Sequence, residues 1–205
     1  TVSVLQNMTQ SPHPQATLAS IGPLSAFRGT DFFVEIRVGD STRAANVFGL
    51  GFDLLYTNTS YIDFVSADTA GSFLGGNLLY IVTPDDANGK VSVGISRKAP
   101  LFGVSGGGTL IRLKFHAAST APDSGTVTFS FSNVSANDQN GTSITLSPIS
   151  GTTRIQGLSV WPGDADNSGV VNQSDILPLG LYWGSRGPAR SNASLQWIAQ
   201  FATVW

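Results

Sequence analysis

The stretch from residue 46 to residue 56 reads Asn46-Val47-Phe48-Gly49-Leu50-Gly51-Phe52-Asp53-Leu54-Leu55-Tyr56. Large apolar side chains stand at every second position from Phe48 to Tyr56, with glycine or aspartate between most of them. A period of two is typical of a β-strand that turns one face to the core and the other to water. The stretch therefore predicts a half-buried strand of a β-sheet.

The same alternation recurs on both sides of this stretch. The apolar positions that share a face are Phe32, Val34, Ile36 and Val38; Val91, Val93 and Ile95; Ile111, Leu113 and Phe115; and Val127, Phe129 and Phe131. Asn88-Gly89 and Asn140-Gly141 precede further strands and supply the positive φ of hairpin turns. Many short strands with no helical segment between them predict a mainly β protein with an antiparallel jelly-roll β-sandwich over residues 1–156.

The composition excludes several classes of partner. Charged residues make up 12% of the 205 residues, and the net charge is −2 without a basic cluster, which predicts no nucleic-acid binding. The chain has no cysteine, so disulfides and thiolate metal sites are impossible. No apolar run reaches the roughly 20 residues of a membrane-spanning helix. Thr1 opens directly into a strand-like pattern, and we therefore expect a processed, secreted protein without a membrane span.

Three segments give the predicted sandwich a resemblance to a known family. They are residues 46–56, Phe64-Val65-Ser66, and Gly103-Val104-Ser105-Gly106-Gly107-Gly108-Thr109-Leu110 leading into Leu113-Lys114-Phe115. In these segments the chain resembles a cohesin domain, the β-sandwich receptor module of bacterial multi-protein assemblies. The resemblance covers roughly three quarters of the chain. It implies a non-catalytic module at a bacterial cell surface that binds a dockerin.

The segment from residue 164 to residue 175 has the spacing of an EF-hand calcium loop. The predicted ligands are Asp164, Asp166, Ser168, the carbonyl of Val170, Asn172 and Asp175. They occupy loop positions 1, 3, 5, 7, 9 and 12, and Gly169 at position 6 permits the sharp turn. Calcium accepts such a flexible ring of oxygens, whereas magnesium demands a stricter octahedron. The alternative is an Asp/Asn-rich turn before a helix, with Asp175 as a capping residue.

A short helix is predicted after this loop, from Ser174 to about Trp183. Pro178 falls in its first turn, where no backbone donor is required, and Ile176, Leu179 and Trp183 recur on one face. Val171 is expected to point away from the ion, into the apolar interior. The sequence thus predicts a small C-terminal segment of calcium loop and helix.

This C-terminal segment resembles half of a dockerin, the calcium-dependent ligand module of cohesins. The resemblance rests on Gly163-Asp164 and on Val170-Val171-Asn172 to Asp175-Ile176. Dockerins carry two such loops, whereas residues 184–205 hold no second copy and instead contain Gly187-Pro188-Ala189-Arg190 and an aromatic tail. We predict a dockerin-like unit over residues 157–205, joined to the sandwich by a connector that spans at most roughly 20 Å.

Other candidate sites are better explained by turns and surfaces. The glycine-rich residues 103–108 precede a strand, which predicts a tight turn or bulge instead of a phosphate-binding loop. His13 and His116 are expected at the surface. Asp85-Asp86 and Asp138 belong to turns, with a second, weaker cation site as the alternative. We find no paired carboxylates, activated nucleophile or zinc motif, and predict no enzyme, although a glycosidase-like pair of distant aspartates stays open.

These patterns favour an extracellular structural or adhesive protein that associates with other copies of itself through cohesin–dockerin-like contacts. A receptor-like and a ligand-like unit in one chain predict head-to-tail assembly into a filament. Strand exchange by residues 2–5 or 201–205 is a second route. One alternative is a carbohydrate-binding module that holds polysaccharide on Tyr61, Tyr80 and Trp183. The other is a scaffold fragment that binds the dockerin of another protein.

Overall fold

The computed structural model describes residues 15–39, 44–100, 102–157, 159–160, 163–165, 168, 170–186, 196 and 200–201. Several residues singled out above lie outside these ranges: residues 2–5, His13, Asp166, Gly169, residues 187–190, Trp197 and Trp205. Within the described residues no helix is long and apolar enough to cross a membrane.

The described residues form fifteen strands and one α-helix. The strands are β1 Ala16–Ile21, β2 Ser25–Phe27, β3 Asp31–Val38, β4 Ala44–Val47, β5 Gly49–Tyr56, β6 Ile62–Asp68, β7 Leu78–Asp85, β8 Lys90–Arg97, β9 Val104–Gly106, β10 Gly108–Ala117, β11 Gly125–Asn137, β12 Leu146–Ile149, β13 Gly151–Gln156, β14 Ser159–Val160 and β15 Gln200–Phe201. The helix α1 is Ile176–Leu181, and single turns of 3₁₀ helix lie at Asp86–Asn88 and Gln173–Asp175.

Two sheets pack face to face and make a β-sandwich. One has five strands in the order β12-β1-β3-β10-β6, and the other has six in the order β2-β13-β11-β5-β8-β7. Phe115 lies at the centre of the core between them, with its ring centroid 5.3 Å from that of Phe129 and 5.4 Å from that of Tyr56. These edge and tilted ring contacts add to the free energy of apolar burial. The prediction of a mainly β jelly-roll sandwich is confirmed.

The predicted core faces are the observed ones. The apolar residues read from the two-residue period in β3, β5, β8 and β10 are all buried, and Val127 and Phe129 of β11 are buried with them. Phe131 is half-buried and packs edge-on against Phe52 at 5.5 Å between ring centroids. The alternation therefore identified which face of each strand enters the core.

The direction of two edge pairings differs from the prediction. β1 pairs with β12 in parallel, and β2 pairs with β13 in parallel, whereas the interior pairings of both sheets are antiparallel. The first two strands lie beside strands from the far end of the sandwich, reached by long crossovers instead of hairpins. Side chains alternate with the same two-residue period in parallel and antiparallel pairs, so the sequence pattern does not reveal the direction of pairing.

Three local details also differ from the sequence prediction. Phe48 lies between β4 and β5 and interrupts the stretch that was read as one strand. Asp85, predicted to belong to a turn, is the last residue of β7. No strand follows Asn140-Gly141 directly: Ser143 makes an isolated bridge to Asn137, and the next strand begins at Leu146.

The glycine-rich residues 103–108 form the predicted turn and bulge. Gly106 has a positive φ of 128°, and the register of β10 against β3 shifts between Thr109 and Ile111. A Cβ atom on Gly107 would lie 2.3 Å from the carbonyl oxygen of Gly39, so the two backbones meet where no side chain fits. A strand follows, not a helix, and the segment lacks the helix N-terminus of a phosphate-binding loop.

After the sandwich, β14 pairs antiparallel with β15, which brings Ser159 opposite Phe201. The start of the predicted unpaired terminal strand, Phe201, thus already has a partner strand in its own chain. The predicted helix forms at nearly the expected place, as a 3₁₀ turn from Gln173 followed by α1 to Leu181. The division of the chain at residue 156 stays a prediction; β13 ends at that residue.

Candidate interaction surfaces and calcium loop

The outer side of the six-stranded sheet carries a broad surface with few side chains at its centre. We call it the glycine face and define it by Gly49, Gly51 and Asp53 of β5, Ser92, Gly94 and Ser96 of β8, Leu79 and Ile81 of β7, and Asn133, Ser135 and Asn137 of β11. The strand register places Ile81, Gly94, Gly51 and Ser135 in one row across four strands. The row forms a shallow trough with an apolar wall at β7.

Glycine is what keeps the centre of this trough low. A Cβ atom on Gly94 would meet nothing within 4 Å, whereas one on Gly51 would lie 3.0 Å from the Ser135 hydroxyl. Glycine weakens a strand interior because it packs no side chain, and it often marks the close approach of a ligand or another backbone. Gly94 therefore leaves open space at the centre of the trough, whereas Gly51 makes room for the Ser135 side chain.

The wall of the trough is apolar and exposed. Ile81 exposes 67% of its surface, and Leu79 and Tyr80 are exposed beside it on the edge strand. Neighbouring exposed apolar residues on a folded domain typically mark an interaction surface. The two-residue period does not predict β7, because the five residues from Leu78 to Val82 are all apolar and show no alternation.

A carboxylate stands at one end of the trough. Asp53 accepts hydrogen bonds from the Ser92 hydroxyl at 2.6 Å and from the Asn133 side-chain amide at 2.7 Å. Asn133 reaches it from a bulge in β11, where its φ is positive at 51°. The Ser92 bond, followed by the Asn133 bond, lowers the pKa of Asp53 below its ordinary value. Asp53 therefore stays ionised at neutral pH with a fixed orientation.

The predicted calcium loop brings two carboxylates into a buried position. Asp164 is 5% exposed and Asp175 is 3% exposed. The Ser168 backbone N–H donates to Asp164 Oδ1 at 2.9 Å, and the Ala165 N–H donates to Asp175 Oδ1 at 2.6 Å. Buried carboxylates need hydrogen bonds or a cation. The bond from Ala165 to Asp175 thus links the second and last positions of the loop across it.

The other described loop residues are close to these carboxylates in sequence and bonded within the same loop. The Ser168 hydroxyl donates to the Val170 carbonyl at 3.2 Å. Asn172 caps the 3₁₀ turn through its bond from Ser174 N–H at 2.7 Å, and its own N–H donates to Asp175 Oδ2 at 2.7 Å. This reciprocal capping is the feature that the alternative turn interpretation expected.

The donor set of the loop fits a hard cation. Its described members offer carboxylate, hydroxyl, carbonyl and amide oxygens, which are the ligands that calcium prefers. Within the described part of the chain, no three acidic or histidine side chains gather closely enough to hold a metal ion. Of the predicted loop's three aspartates, Asp164 and Asp175 are described and Asp166 lies outside the described residues.

The helix after the loop presents apolar side chains to solvent. Trp183 is 87% exposed, and the other exposed members of this group are Ile176, Leu177, Leu179, Leu181 and Tyr182. We call these six residues the helix surface. The prediction that Val171 enters the apolar interior is wrong: Val171 is 46% exposed and lies beside Gly163. The pattern correctly marked an apolar face, but no core within the described residues covers Val171.

Several other polar groups have structural roles. Asp86 accepts hydrogen bonds from the Tyr56 hydroxyl and from the Phe64 N–H, and burial followed by the Asp86 bond raises the pKa of Tyr56. Asp138 accepts from the N–H groups of Asn140 and Thr142 at 2.8 Å each and so holds its turn. The Asp138 bonds support the turn interpretation of that residue, whereas Asp86 lies in a 3₁₀ turn and its carboxylate binds two other strands.

Five charged or titratable side chains on β3 and β10 of the five-stranded sheet are paired with each other. Asp31 contacts Lys114 at 2.6 Å and His116 at 2.7 Å. Glu35, the sole glutamate, binds Arg112 at 3.0 Å. His116 lies at the surface as predicted, and Glu35 is engaged with a neighbouring strand.

Known structures match the sandwich. The non-cellulosomal cohesin of the hyperthermophilic archaeon Archaeoglobus fulgidus is 20% identical, with a TM-score of 0.53 over 69% of this chain and 91% of that one. The sixth cohesin of scaffoldin B from Acetivibrio cellulolyticus, solved in complex with a Cel5 dockerin, is 17% identical, with a TM-score of 0.57 over 70% and 100%. The sandwich has the cohesin fold.

A type I cohesin–dockerin complex from Clostridium thermocellum is a further neighbour. It is 10% identical, with a TM-score of 0.60 over 69% of this chain and 99% of the matched chain. No protein-family model matches the chain, and no curated protein matches it by sequence. The matches cover about the length of the cohesin-like sandwich, so they support the cohesin resemblance stated above for that part of the chain.

Proposed function

We propose that this chain is a non-catalytic protein-interaction module whose glycine face receives the helix surface of the next copy. The observation that carries the proposal is the presence of two exposed apolar surfaces of opposite shape. One is a trough with glycine at its centre and Ile81 on its wall; the other is a short helix with exposed apolar side chains. Burying both would remove apolar surface from water, which is the main driving force of association.

The structural neighbours support this use of the fold. Two of the three neighbours described above were solved in complex with dockerins. A cohesin-like sandwich followed by a dockerin-like segment supplies a receptor and a ligand in one chain. The second candidate partner is the dockerin of another protein, which would occupy the glycine face in place of the next copy.

Association between copies follows from the length of the connector. Residues 157–162 span at most roughly 20 Å, which hinders the helix surface from turning back onto the glycine face of its own sandwich. A contact between two different surfaces that does not close a ring continues from copy to copy. We therefore propose a head-to-tail filament outside the cell or at the cell surface, where millimolar calcium sites are also useful.

We propose calcium as the ion of the loop. Asp164, Asp166, Ser168, the Val170 carbonyl, Asn172 and Asp175 would hold it, and the ion would neutralise carboxylates that the fold buries. When bound, it would fix the path of the chain before α1. Its role is therefore structural, because it sets the orientation of the helix surface toward the next copy.

Two complementary variants test the proposed contact. Gly94→Arg fills the trough, and Leu179→Arg places a charge on the helix surface; Val65→Arg, at an exposed site of the other sheet, is the control. Each of the first two variants alone is expected to form no filaments, whereas the control forms them. An equal mixture of the two should form complexes that contain both chains in equal amounts, because one intact contact remains between a glycine face and a helix surface. A mixture that shows no such complex contradicts the proposal.

A further inference from the structure

The two sheets of the sandwich have four edges, and three of these carry features that prevent further strand pairing. β2 has three residues, β12 has four and includes Pro148, and β6 carries Asp63 and Asp68. Short strands, proline and charge are the usual devices that protect an edge. The fourth edge, β7, has eight residues, and the segment from Gly75 to Pro84 contains no charged side chain.

The hydrogen bonds between β7 and β8 show which residues of β7 turn their backbone N–H and C=O groups toward β8. The Lys98 N–H donates to the Asn77 carbonyl at 3.1 Å, so odd-numbered residues of this segment turn their backbone groups toward β8. The even-numbered residues, Leu78, Tyr80, Val82 and Pro84, therefore turn theirs to the other side of β7, where the described residues place no partner strand. Pro84 falls where its missing N–H costs no bond to β8, and it limits pairing at that end.

The free groups are arranged so that β7 can pair with itself. In an antiparallel pair centred on Tyr80, Tyr80 faces Tyr80 of a second copy, and Leu78 faces Val82. The three outward residues of the two strands then satisfy one another's N–H and C=O groups, and Pro84 stays outside the pair. The same register places Leu79 opposite Ile81 of the second copy, so that four exposed apolar side chains meet on the outer face.

We propose that β7 is a dimerisation edge that pairs antiparallel with β7 of a second copy about a two-fold axis at Tyr80. The pairing joins two six-stranded sheets into one continuous sheet. It uses the backbone groups of the edge together with Leu79 and Ile81 at the rim of the glycine face, whereas head-to-tail assembly uses the trough and the helix surface. The dimer would link two filaments side by side, with their glycine faces next to each other.

The test is made in the Leu179→Arg background, which silences the helix surface. This variant is expected to sediment as a dimer. Adding Tyr80→Lys or Tyr80→Glu places like charges directly opposite each other at the two-fold axis and should weaken the dimer about tenfold or more. Mixing the Lys and Glu variants should restore a dimer, because the opposed charges now attract. Tyr80 is partly exposed, but it alternates with Leu79 and Ile81 and pairs with the buried Ile95, so its side chain lies on the other side of β7 from theirs.

Cysteine cross-linking checks the register, because the chain has no cysteine of its own. In the same background, Tyr80→Cys should form a covalent dimer, since directly paired residues lie within disulfide distance. Leu79→Cys alone should not, but should cross-link when mixed with Ile81→Cys. A monomeric Leu179→Arg variant at the highest concentration measured, or failure of the Lys and Glu variants to pair, overturns the dimer proposal. Such a result would leave the proposal of head-to-tail filaments intact, because those filaments do not depend on the β7 pairing.

Discussion

Ile81 lies directly opposite Gly94 in the pairing of β7 and β8, so an exposed apolar side chain stands beside a position without one. The contrast gives the glycine face its trough and its wall. It also separates two kinds of glycine in the sandwich: Gly94 has open space above it, and Gly107 touches the backbone of Gly39.

The first prediction compares the same substitution at these two kinds of glycine. Gly94→Val should leave the free energy of unfolding unchanged or raise it by up to about 1 kcal/mol, because valine suits a strand. It should also weaken assembly at least about tenfold by filling the trough. Gly107→Val should lower the free energy of unfolding by about 3 kcal/mol or more, because its side chain overlaps the Gly39 carbonyl. Urea unfolding measures the stability of both variants, and sedimentation measures their assembly. A Gly94→Val variant that assembles normally would contradict the role of the trough.

A second prediction separates calcium binding from the capping turn. Asp175→Asn keeps one of the two side-chain oxygens that accept from the Ala165 and Asn172 N–H groups, and it removes the charge that a cation needs. We expect this variant to lose calcium binding in calorimetry and to lose assembly, with the sandwich still folded. Asp68→Asn, on an exposed strand end, is the control. If Asp175→Asn behaves like this control, the loop is a capped turn and the calcium proposal fails.

Chelation of calcium should likewise disrupt assembly while the sandwich stays folded. Removing calcium from assembled protein is expected to disperse the filaments, because the helix surface loses its fixed orientation. The near-ultraviolet signal of the sandwich should persist, since its core is built from residues before 157. Electron microscopy before and after chelator, and after calcium is added back, measures the effect. Filaments that survive chelation unchanged would count against a structural calcium ion.

The pH dependence of stability follows from Asp53. Its pKa is lowered in the folded state, so the carboxylate stabilises the fold at pH values above the unfolded pKa of about 3.9, and this stabilisation is lost as the pH falls through the lower folded pKa. The unfolding free energy of the parent chain should therefore fall more steeply between about pH 4 and pH 2 than that of Asp53→Asn. If urea unfolding shows the same pH dependence of the unfolding free energy for the parent chain and for Asp53→Asn, this role for Asp53 is refuted.

The core should be most sensitive at Phe115. Its ring contacts the rings of Phe32, Tyr56, Phe64 and Phe129, and the side chain is fully buried. Phe115→Ala should lower the free energy of unfolding by about 3 to 5 kcal/mol, whereas the exposed Phe102→Ala should change it by less than about 0.5 kcal/mol. Equal effects of the two substitutions in urea unfolding would contradict this view of the core.

Local patterns in the sequence predicted the parts of the molecule that depend on local physics. The two-residue period in β3, β5, β8, β10 and β11 marked the buried faces, because burial of one face is what selects that period. The calcium ligand set from Asp164 to Asp175 stays a prediction; within this segment the N–H groups of Ala165, Ser168 and Asn172 donate to the Asp164 and Asp175 carboxylates.

The interaction surfaces depend on long-range register, which no local pattern contains. Ile81, Gly94 and Gly51 are far apart in sequence and become neighbours only through the pairing of β5, β8 and β7. β7 itself was missed because five consecutive apolar residues have no readable period. The parallel pairing of β1 with β12 is also absent from any local pattern, because the direction of a pairing depends on which distant strand lies alongside.

A photo-cross-linking measurement tests the head-to-tail contact most directly. A benzophenone side chain placed at Gly94 has open space at its Cβ position, and mixing isotope-labelled with unlabelled chains distinguishes contacts between copies from contacts within one copy. Mass spectrometry should find the cross-link in the peptide that contains residues 176–183 of a different chain. Cross-links that form only within one chain, or only to peptides outside residues 176–183, would contradict the contact between the glycine face and the helix surface.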